Sequence, residues 1–282
     1  MVRKILAKTY IFLILILMYV PILVLIAYSF SATQQIGQPM GSFTFKLYGD
    51  LFKNKDIMYA LLNTIILAVI SAFVSTFLGT IGAVGTFYAK KRTRAVIENI
   101  NQIPVVNAEI VIALSLCFVF VIMGQFIFRA HIFSFWTLLI GHVVLCAPFV
   151  YLNVKPKLQQ LDPALYEAAL DLGASPNLAL RRVMVPQLMP GIVSGFMLSI
   201  SLSLDDFIVT AFTRGPGLLN GNESIQTLST FIQGVIKKKA IPIELRALTT
   251  LIFIAVIIVA VLVTFYNAKQ NHRFKKRKGR EY

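Results

Sequence analysis

The chain has 282 residues, of which 57% are apolar and only 14% are charged. This composition excludes an ordinary soluble domain, which needs more ionic residues to cover its surface, and indicates a membrane protein. The net charge of +15 mostly reflects which side of the membrane the basic residues occupy, so we expect no nucleic-acid binding.

Six stretches lack Lys and Arg for at least the roughly 20 residues that a helix needs to cross the hydrocarbon core. In chain order they are residues 10–30, 58–88, 103–123, 133–154, 188–211 and 247–268. The first stretch follows a basic N-terminus, but it is too long for a signal peptide, so we expect a retained first span. The sequence therefore predicts an all-α integral membrane protein with six transmembrane helices.

The basic residues indicate the orientation of these spans. Most of them lie before the first span, between spans two and three, between spans four and five, and after span six. The positive-inside rule places these segments, and thus both termini, in the cytoplasm. The external connection 212–246 contains apolar residues at helical spacing, namely Leu228, Phe231, Ile232 and Val235. They predict a short amphipathic helix that either rests on the membrane or docks an external partner.

Three acidic residues lie inside predicted spans: Glu109 in the third, and Asp205 and Asp206 in the fifth. A charge at the centre of a span costs on the order of 2.5–3.5 kcal/mol, so these side chains need water, a partner or a cation. The spans offer no Lys or Arg, and a polyamine can meet several carboxylates in succession with its ammonium groups. Alternatively, the acids cap broken helices, bond to a neighbouring subunit or are protonated. We interpret His142 in the fourth span as a packing residue.

Helical geometry places Asp206 on the same side of the fifth span as Gly195 and Ser199, and Asp205 nearer Ser194. The two acids border a stripe of mostly small residues. We interpret this stripe as the lining of a pathway between subunits.

The loop between spans four and five contains the start and stop signals of two short helices. Asp162 can cap the first helix with Pro163 in its first turn, and Gly173 can end it in the left-handed conformation. Start and stop signals recur at Ser175, Pro176 and Pro186. On this evidence the loop is either a docking surface for a partner protein or an amphipathic connector on the membrane surface.

The same loop contains a longer pattern: EAA at 167–169, three residues, Gly173, nine residues, and VMVP at 183–186. It resembles the E-A-A-x3-G-x9-I-x-L-P signature of ABC importer permeases, with Val183 and Val185 in place of the usual Ile and Leu. Three further segments resemble the second permease subunits of spermidine/putrescine transport systems: LLNTIILA at 61–68, NAEIVIALSL at 107–116, and SLSLDDF at 201–207 followed by RGPG at 214–217.

This resemblance implies the type I ABC importer permease fold. It covers most of the permease core (58–268), which follows an N-terminal span and external loop (1–57) and precedes a basic cytoplasmic tail (269–282). The basic residues of the tail favour an anchor to anionic lipid headgroups over a specific partner site. The resemblance also implies that the loop between spans four and five inserts into a groove on the ATP-hydrolysing subunit. The implied coupling residues are Glu167, Ala168, Ala169 and Gly173.

The implied function is that of a transmembrane subunit of an ATP-driven importer for spermidine or putrescine, forming half of the pathway in the cytoplasmic membrane. Its expected partners are a second permease subunit, two ATPase subunits, an extracytoplasmic solute-binding protein and the lipid bilayer. The candidate pathway residues, taken from their own position inside the spans, are Glu109, Asp205 and Asp206. The chain lacks a G-x-x-x-x-G-K-[ST] phosphate loop. We therefore expect no catalysis and no cofactor in this chain, with ATP and Mg bound by the partner ATPase.

Two other functions remain open from the sequence. One is a permease of the same architecture for another solute, such as a metal chelate, thiamine or an anion. The other is an ATP-independent channel or secondary transporter. A membrane enzyme is disfavoured because the 3 histidines are scattered and form no recognisable catalytic or metal-binding motif.

Overall fold

The computed structural model describes residues 2–31, 33, 39–129, 132–215, 225–238, 242–258 and 261. The chain forms two compact units, which we describe separately. The first combines Met1–Met58 with Lys238–Tyr282, and the second is Tyr59–Lys237. Regular secondary structure in the described ranges is helical, which confirms the all-α prediction, and one isolated antiparallel bridge joins Ser31 and Phe43.

The helices are, in chain order, α1 (Val2–Ser29), α2 (Lys46–Lys53), α3 (Lys55–Tyr88), α4 (Lys91–Val106), α5 (Glu109–Ile122), α6 (Phe135–Gln159), α7 (Pro163–Asp171), α8 (Pro176–Ala179), α9 (Val185–Asp205), α10 (Ile208–Thr213), α11 (Leu228–Lys238) and α12 (244–258). Two π-helical segments, Met123–Phe128 and Leu180–Met184, follow α5 and α8. The predicted amphipathic helix is α11.

Five helical stretches of the described residues are long and apolar enough to cross a membrane: Lys8–Ser29, Lys55–Tyr88, Glu109–Ile127, Phe135–Gln159 and Pro176–Asp205. They correspond to the first five predicted spans. The sixth, predicted at 247–268, begins in α12, but residues 259–260 and 262–268 lie outside the described residues. The predicted basic tail, 269–282, also lies outside them.

In the first unit, α1 ends against an aromatic cluster. The ring of Phe30 stacks on Phe43 with centroids 5.5 Å apart and packs on Tyr48 at 5.4 Å. The Tyr48 hydroxyl lies 2.9 Å from the Ser29 hydroxyl, which ties α2 to the end of α1.

In the second unit, α6 is the central helix, and glycines allow α3 and α9 to approach it closely. A Cβ atom added to Gly79 of α3 would lie 2.7 Å from the Val150 Cβ, and one added to Gly195 of α9 would lie 3.1 Å from the Val150 Cα. Val150 is fully buried, in a core cluster that also contains Val154 and Leu188. Gly79 therefore allows α3 to pack closely on α6.

Two predicted span boundaries are wrong. The third span does not start at 103, because residues 103–106 complete α4 and the chain is extended at Ala108 before α5 starts at Glu109. The fifth span is not continuous over 188–211, because α9 ends at Asp205 and α10 begins at Ile208. Both interruptions lie within apolar stretches, whose composition does not indicate that a helix ends there.

The predicted boundary at Pro186 lies within a continuous helical path. Proline lacks the N–H group that an α-helix interior requires. Here Pro186 stands in the first turn of α9, directly after the π-helical segment Leu180–Met184, so helical backbone runs from Pro176 to Asp205 without a gap.

Candidate functional site

A cavity of about 520 Å³ brings together the three acidic residues predicted to lie inside spans. It lies where α4 ends, α5 begins and α9 ends, against α6. Its lining residues are Pro104, Val105, Asn107, Glu109, Leu145, Phe149, Ser201, Leu202, Asp205 and Asp206. Glu109 is nearly a hundred positions from the two aspartates, and the packing of α5 beside the end of α9 places them around one space.

Asp206 is buried and binds the start of α10. Its Oδ1 accepts a hydrogen bond from the Val209 backbone N–H at 3.1 Å, and its Oδ2 accepts from the Thr210 N–H at 2.8 Å and the Thr210 hydroxyl at 2.7 Å. The Asp206 carbonyl accepts from the Ser229 hydroxyl of α11 at 2.7 Å. Asp206 therefore satisfies N–H groups that the break leaves without helical partners, as a capping side chain does.

Asp205 and Glu109 are more accessible than Asp206. Asp205, the last residue of α9, is exposed, and Glu109, the first residue of α5, is partly buried. Glu109 and Asp206 line the same cavity. No Lys or Arg is among the described residues that line the cavity. The site thus brings three carboxyl groups to one cavity, with neither Lys nor Arg among its described lining residues.

His142 is packed between helices, as predicted, and both of its ring nitrogens also have polar partners. It is fully buried on α6, with Nδ1 2.8 Å from the Ser203 hydroxyl and Nε2 3.0 Å from the Thr210 hydroxyl. Its Nε2 also lies 3.4 Å from Asp206 Oδ2. The signal available in the sequence was an ionisable side chain inside a span, which is rare without a function or a partner.

Only one side of the predicted small-residue stripe faces the cavity. Gly195 and Ser199 are buried against α6, as the close approach of Gly195 to Val150 shows. Ser194 is exposed and donates from its hydroxyl to Asn153 Oδ1 at 3.1 Å. The side of α9 that carries Gly195 and Ser199 therefore holds the chain's own helices together, while Ser201 lines the cavity.

The first half of the loop between α6 and α9, from Asp162 to Gly173, folds as its sequence predicts. The Asp162 carboxylate accepts from the Ala164 N–H at 3.0 Å, and Pro163 occupies the first turn of α7. Gly173 has a φ of 86°, its N–H donates to the Leu170 carbonyl at 2.9 Å, and the Ala174 N–H donates to the Ala169 carbonyl at 3.0 Å. This pair of bonds is a Schellman motif, which requires a left-handed residue where Gly173 stands.

The α7 helix presents an accessible surface. Glu167 and Ala168 are exposed and Ala169 is partly buried. Leu165 is 46% exposed and Leu172 89% exposed. Apolar side chains held this far out of the fold on a short capped helix suit a protein partner.

The inner side of α7 contacts the end of α3. The rings of Tyr166 and Tyr88 lie 5.8 Å apart, and the Tyr88 hydroxyl donates to the Met184 sulfur at 3.0 Å. Met184 immediately precedes α9, a helix of 21 residues that ends at Asp205. The four predicted coupling residues are therefore remote from the acids, since α9 alone spans roughly 30 Å.

Metal binding has no support in this part of the chain. The described residues contain no group of three or more His, Cys, Asp or Glu side chains placed to hold a metal ion.

Comparison with known families identifies the chain. The family described as "binding-protein-dependent transport system inner membrane component" matches residues 75–276, which include α5 through α11 and the whole loop between α6 and α9. This chain belongs to that family. It is a multi-pass subunit of a transport system in the cell membrane.

Three curated relatives align over most of this permease. The spermidine/putrescine transport system permease protein PotC of Haemophilus influenzae is 29% identical over 272 residues, which cover 96% of this chain and 100% of the relative. PotC of Escherichia coli is 31% identical over 86% of this chain and 87% of its own length. The putrescine transport system permease protein PotI of Escherichia coli is 30% identical over 89% and 87%.

Two solved structures share the fold of this permease. A bacterial ABC transporter involved in the import of the acidic polysaccharide alginate aligns with a TM-score of 0.70 and 16% identity, over 94% of this chain and 96% of that one. An amino acid ABC transporter aligns with a TM-score of 0.53 and 18% identity, over 79% and 98%. The ABC importer permease fold implied by the loop signature is confirmed.

Proposed function

We propose that this permease is one of two transmembrane subunits of an ATP-driven importer of polyamines such as spermidine and putrescine. The observation that carries the proposal is the cavity in which Glu109, Asp205 and Asp206 meet, with no Lys or Arg among its described lining residues. The relatives described above, which belong to spermidine and putrescine transport systems, support the same substrate class.

The chemistry of the cavity favours a cation with several charges. Each carboxylate loses hydration inside the membrane, and an ammonium group at hydrogen-bond distance replaces it. The cavity also has apolar walls, with Leu145, Phe149 and Leu202 among its lining residues. A flexible methylene chain with ammonium groups along its length can contact both kinds of surface at once.

The partners follow from the architecture. A second permease subunit supplies the other half of the pathway, a solute-binding protein delivers the polyamine from outside, and two ATPase subunits bind in the cytoplasm. We place both termini and α7 on the cytoplasmic side, as the basic residues predict. The chain itself is non-catalytic, and ATP and Mg belong to the ATPase subunits.

The coupling pathway runs from α7 to α9. Closure of the ATPase subunits presses on the surface formed by Glu167, Ala168, Ala169 and Gly173. The loop transmits this motion through Met184, which contacts Tyr88 of α3 and directly precedes α9. Because α9 is helical as far as Asp205, displacement of its first turn moves the acid at its other end.

The test is stimulation of ATP hydrolysis in the complete reconstituted complex with its binding protein. The solutes are spermidine, putrescine, amino acids, sugars, metal chelates and anions. We expect polyamines alone to stimulate hydrolysis and Asp205→Asn to remove most of that stimulation. Asp50→Asn is the matched control, because Asp50 is an acid of α2 and does not line the cavity.

The outcomes separate the candidate functions. Stimulation by a neutral or anionic solute would retain the importer and contradict the polyamine proposal. Equal stimulation of the Asp205→Asn and parent complexes by polyamines would contradict the assignment of Asp205 to the pathway.

A further inference from the structure

A chain of hydrogen bonds leads through the interior of the permease to the acidic cavity. Its members come from four helices and the break between α9 and α10: Ser71, Ser203, His142, Thr210 and Asp206. The Ser71 hydroxyl donates to the Ser203 hydroxyl at 3.0 Å, which lies 2.8 Å from His142 Nδ1. On the other side of the ring, Nε2 lies 3.0 Å from the Thr210 hydroxyl, which donates to Asp206 at 2.7 Å.

The direction of these bonds fixes the proton on the imidazole. An ionised Asp206 only accepts hydrogen bonds, so the Thr210 hydroxyl uses its proton on the carboxylate. The Thr210 oxygen must then accept from His142, which requires a proton on Nε2. Ser203, which accepts from Ser71, is free to donate to an unprotonated Nδ1. A neutral Nε2–H imidazole therefore satisfies every contact in the chain.

Because these side chains are buried, each of them needs its hydrogen-bond partner. All five side chains are buried, and His142, Ser71 and Thr210 have no exposed surface. A buried polar group that loses its partner has no water to replace it. These hydrogen bonds therefore hold α3, α6, α9 and α10 in one arrangement around the break between α9 and α10.

We propose that His142 is a positioning residue for the acidic cavity. Its Nε2–H orients the Thr210 hydroxyl, which holds the Asp206 carboxylate on the first turn of α10. Asp206 thereby fixes the break and leaves the more accessible Asp205 and Glu109 to meet the transported cation. The transport role of this inference rests on the proposed function, whereas the hydrogen-bond arrangement does not.

The first test compares three substitutions of His142 by polyamine uptake into vesicles that contain the whole transporter. His142→Gln retains an N–H donor near the Nε2 position, whereas His142→Asn has its amide near Nδ1 and does not reach Thr210. His142→Leu has neither group. We expect uptake to fall about tenfold or more for Leu and for Asn, and by less than about threefold for Gln.

Cys146→Ala is the matched control. Cys146 lies one turn after His142 on α6 and is also fully buried, with its sulfur 3.6 Å from the Ser199 carbonyl. We expect polyamine uptake by Cys146→Ala to stay within about twofold of the parent, because this weak contact does not belong to the series of hydrogen bonds from Ser71 to Asp206. Equal losses for Gln, Asn and Leu, or parental uptake for Leu, would overturn the positioning role.

The second test does not depend on the solute. Nitrogen-15 NMR of the histidine-labelled transporter reports which ring nitrogens carry a proton, and the His142 signals are those missing from His142→Gln. We expect an Nε2–H imidazole with bare Nδ1, and a shift of the Nε2 signal in Thr210→Val. A doubly protonated ring or the Nδ1–H tautomer would overturn the inference. If polyamines are not transported but the ring has this state, the proposed substrate fails and the hydrogen-bond arrangement stands.

Discussion

Adjacent carboxylates at the end of α9 have different surroundings. Asp206 is buried and binds two backbone N–H groups and one hydroxyl. Asp205 is exposed and lines the same cavity. A cation pathway and the capping of a broken helix are among the explanations that the sequence left open for the pair. The structure gives Asp206 the capping geometry, and the pathway role is proposed for Asp205 and Glu109.

This difference predicts that the two alanine substitutions affect stability unequally. Asp206→Ala leaves two buried N–H groups and the Thr210 hydroxyl without their acceptor, and we expect it to lower the free energy of unfolding by about 2 kcal/mol. Asp205→Ala removes an exposed charge and should leave stability nearly unchanged. Thermal unfolding of the two purified variants compares them, and equal melting temperatures would contradict the capping role.

The sequence could not reveal which aspartate turns inward. The two residues are neighbours in an apolar stretch, and either can cap a helix that follows. The choice depends on groups that approach from elsewhere in the chain, namely His142 from α6 and Ser229 from α11. Tertiary packing therefore decided what the local sequence left open.

At the level of helices, the ends of α7 could be predicted from the local sequence, unlike the surroundings of the two aspartates. Its start at Asp162 and Pro163 and its left-handed end at Gly173 follow from side chains within the loop itself. Capping preferences act over a few residues, so the sequence predicts them well. The break after α9 and the start of α5 depend on contacts with other helices, and there the prediction was wrong.

Close packing of α3 against α6 predicts a position-specific effect of adding one methyl group. Gly79→Ala would place a Cβ 2.7 Å from the Val150 Cβ and 2.8 Å from the Ala147 carbonyl oxygen, whereas Gly85→Ala meets nothing within 4 Å. We expect Gly79→Ala to destabilise the permease by about 1–3 kcal/mol through overpacking. Gly85→Ala, on the same helix, is the control, and denaturation in detergent measures both. A similar loss of stability in the two variants would argue against the α3–α6 contact.

An ion cluster connects α4 with the end of α6. The Glu98 carboxylate accepts from Arg94 Nε at 2.9 Å and contacts Lys155 Nζ at 3.0 Å. The hydrogen bond from Arg94, followed by that from Lys155, lowers the pKa of Glu98 below its ordinary value of 4.5. A lowered folded-state pKa means that the stabilisation is fully present above pH 4.5 and is lost as the pH falls through the lowered value.

The stability difference between the parent and Glu98→Gln should therefore depend on pH. We expect the parent to melt at a higher temperature at pH 7, and the difference to shrink only below about pH 4.5. The effect should be small, because the ion pairs are partly exposed and salt screens them. A difference that grows on acidification would have the wrong sign for this cluster.

For the whole molecule, the sequence predicted the class of protein better than the shape of its cavity. Span composition and the loop signature are local features, and both led to the permease family that the comparisons confirm. The cavity forms only when α4, α5, α6 and α9 meet, so its lining residues were not predictable beyond the acids. The α9 helix connects the two regions, because the loop proposed to contact the ATPase leads into one end and Asp205 stands at the other.

This arrangement predicts the effect of reversing one charge on α7. Glu167→Arg should abolish ATP-dependent polyamine uptake, because a positive side chain replaces the exposed acid of the proposed ATPase-binding surface. Asn177→Arg is the control, since it places the same arginine side chain at an exposed position of α8 without removing an acid. Uptake into vesicles with and without ATP, together with co-purification of the ATPase subunit, distinguishes lost docking from lost coupling. Uptake that continues in Glu167→Arg and needs no ATP would instead identify a channel or secondary transporter, because neither requires a force transmitted from α7 through α9 to the acidic cavity.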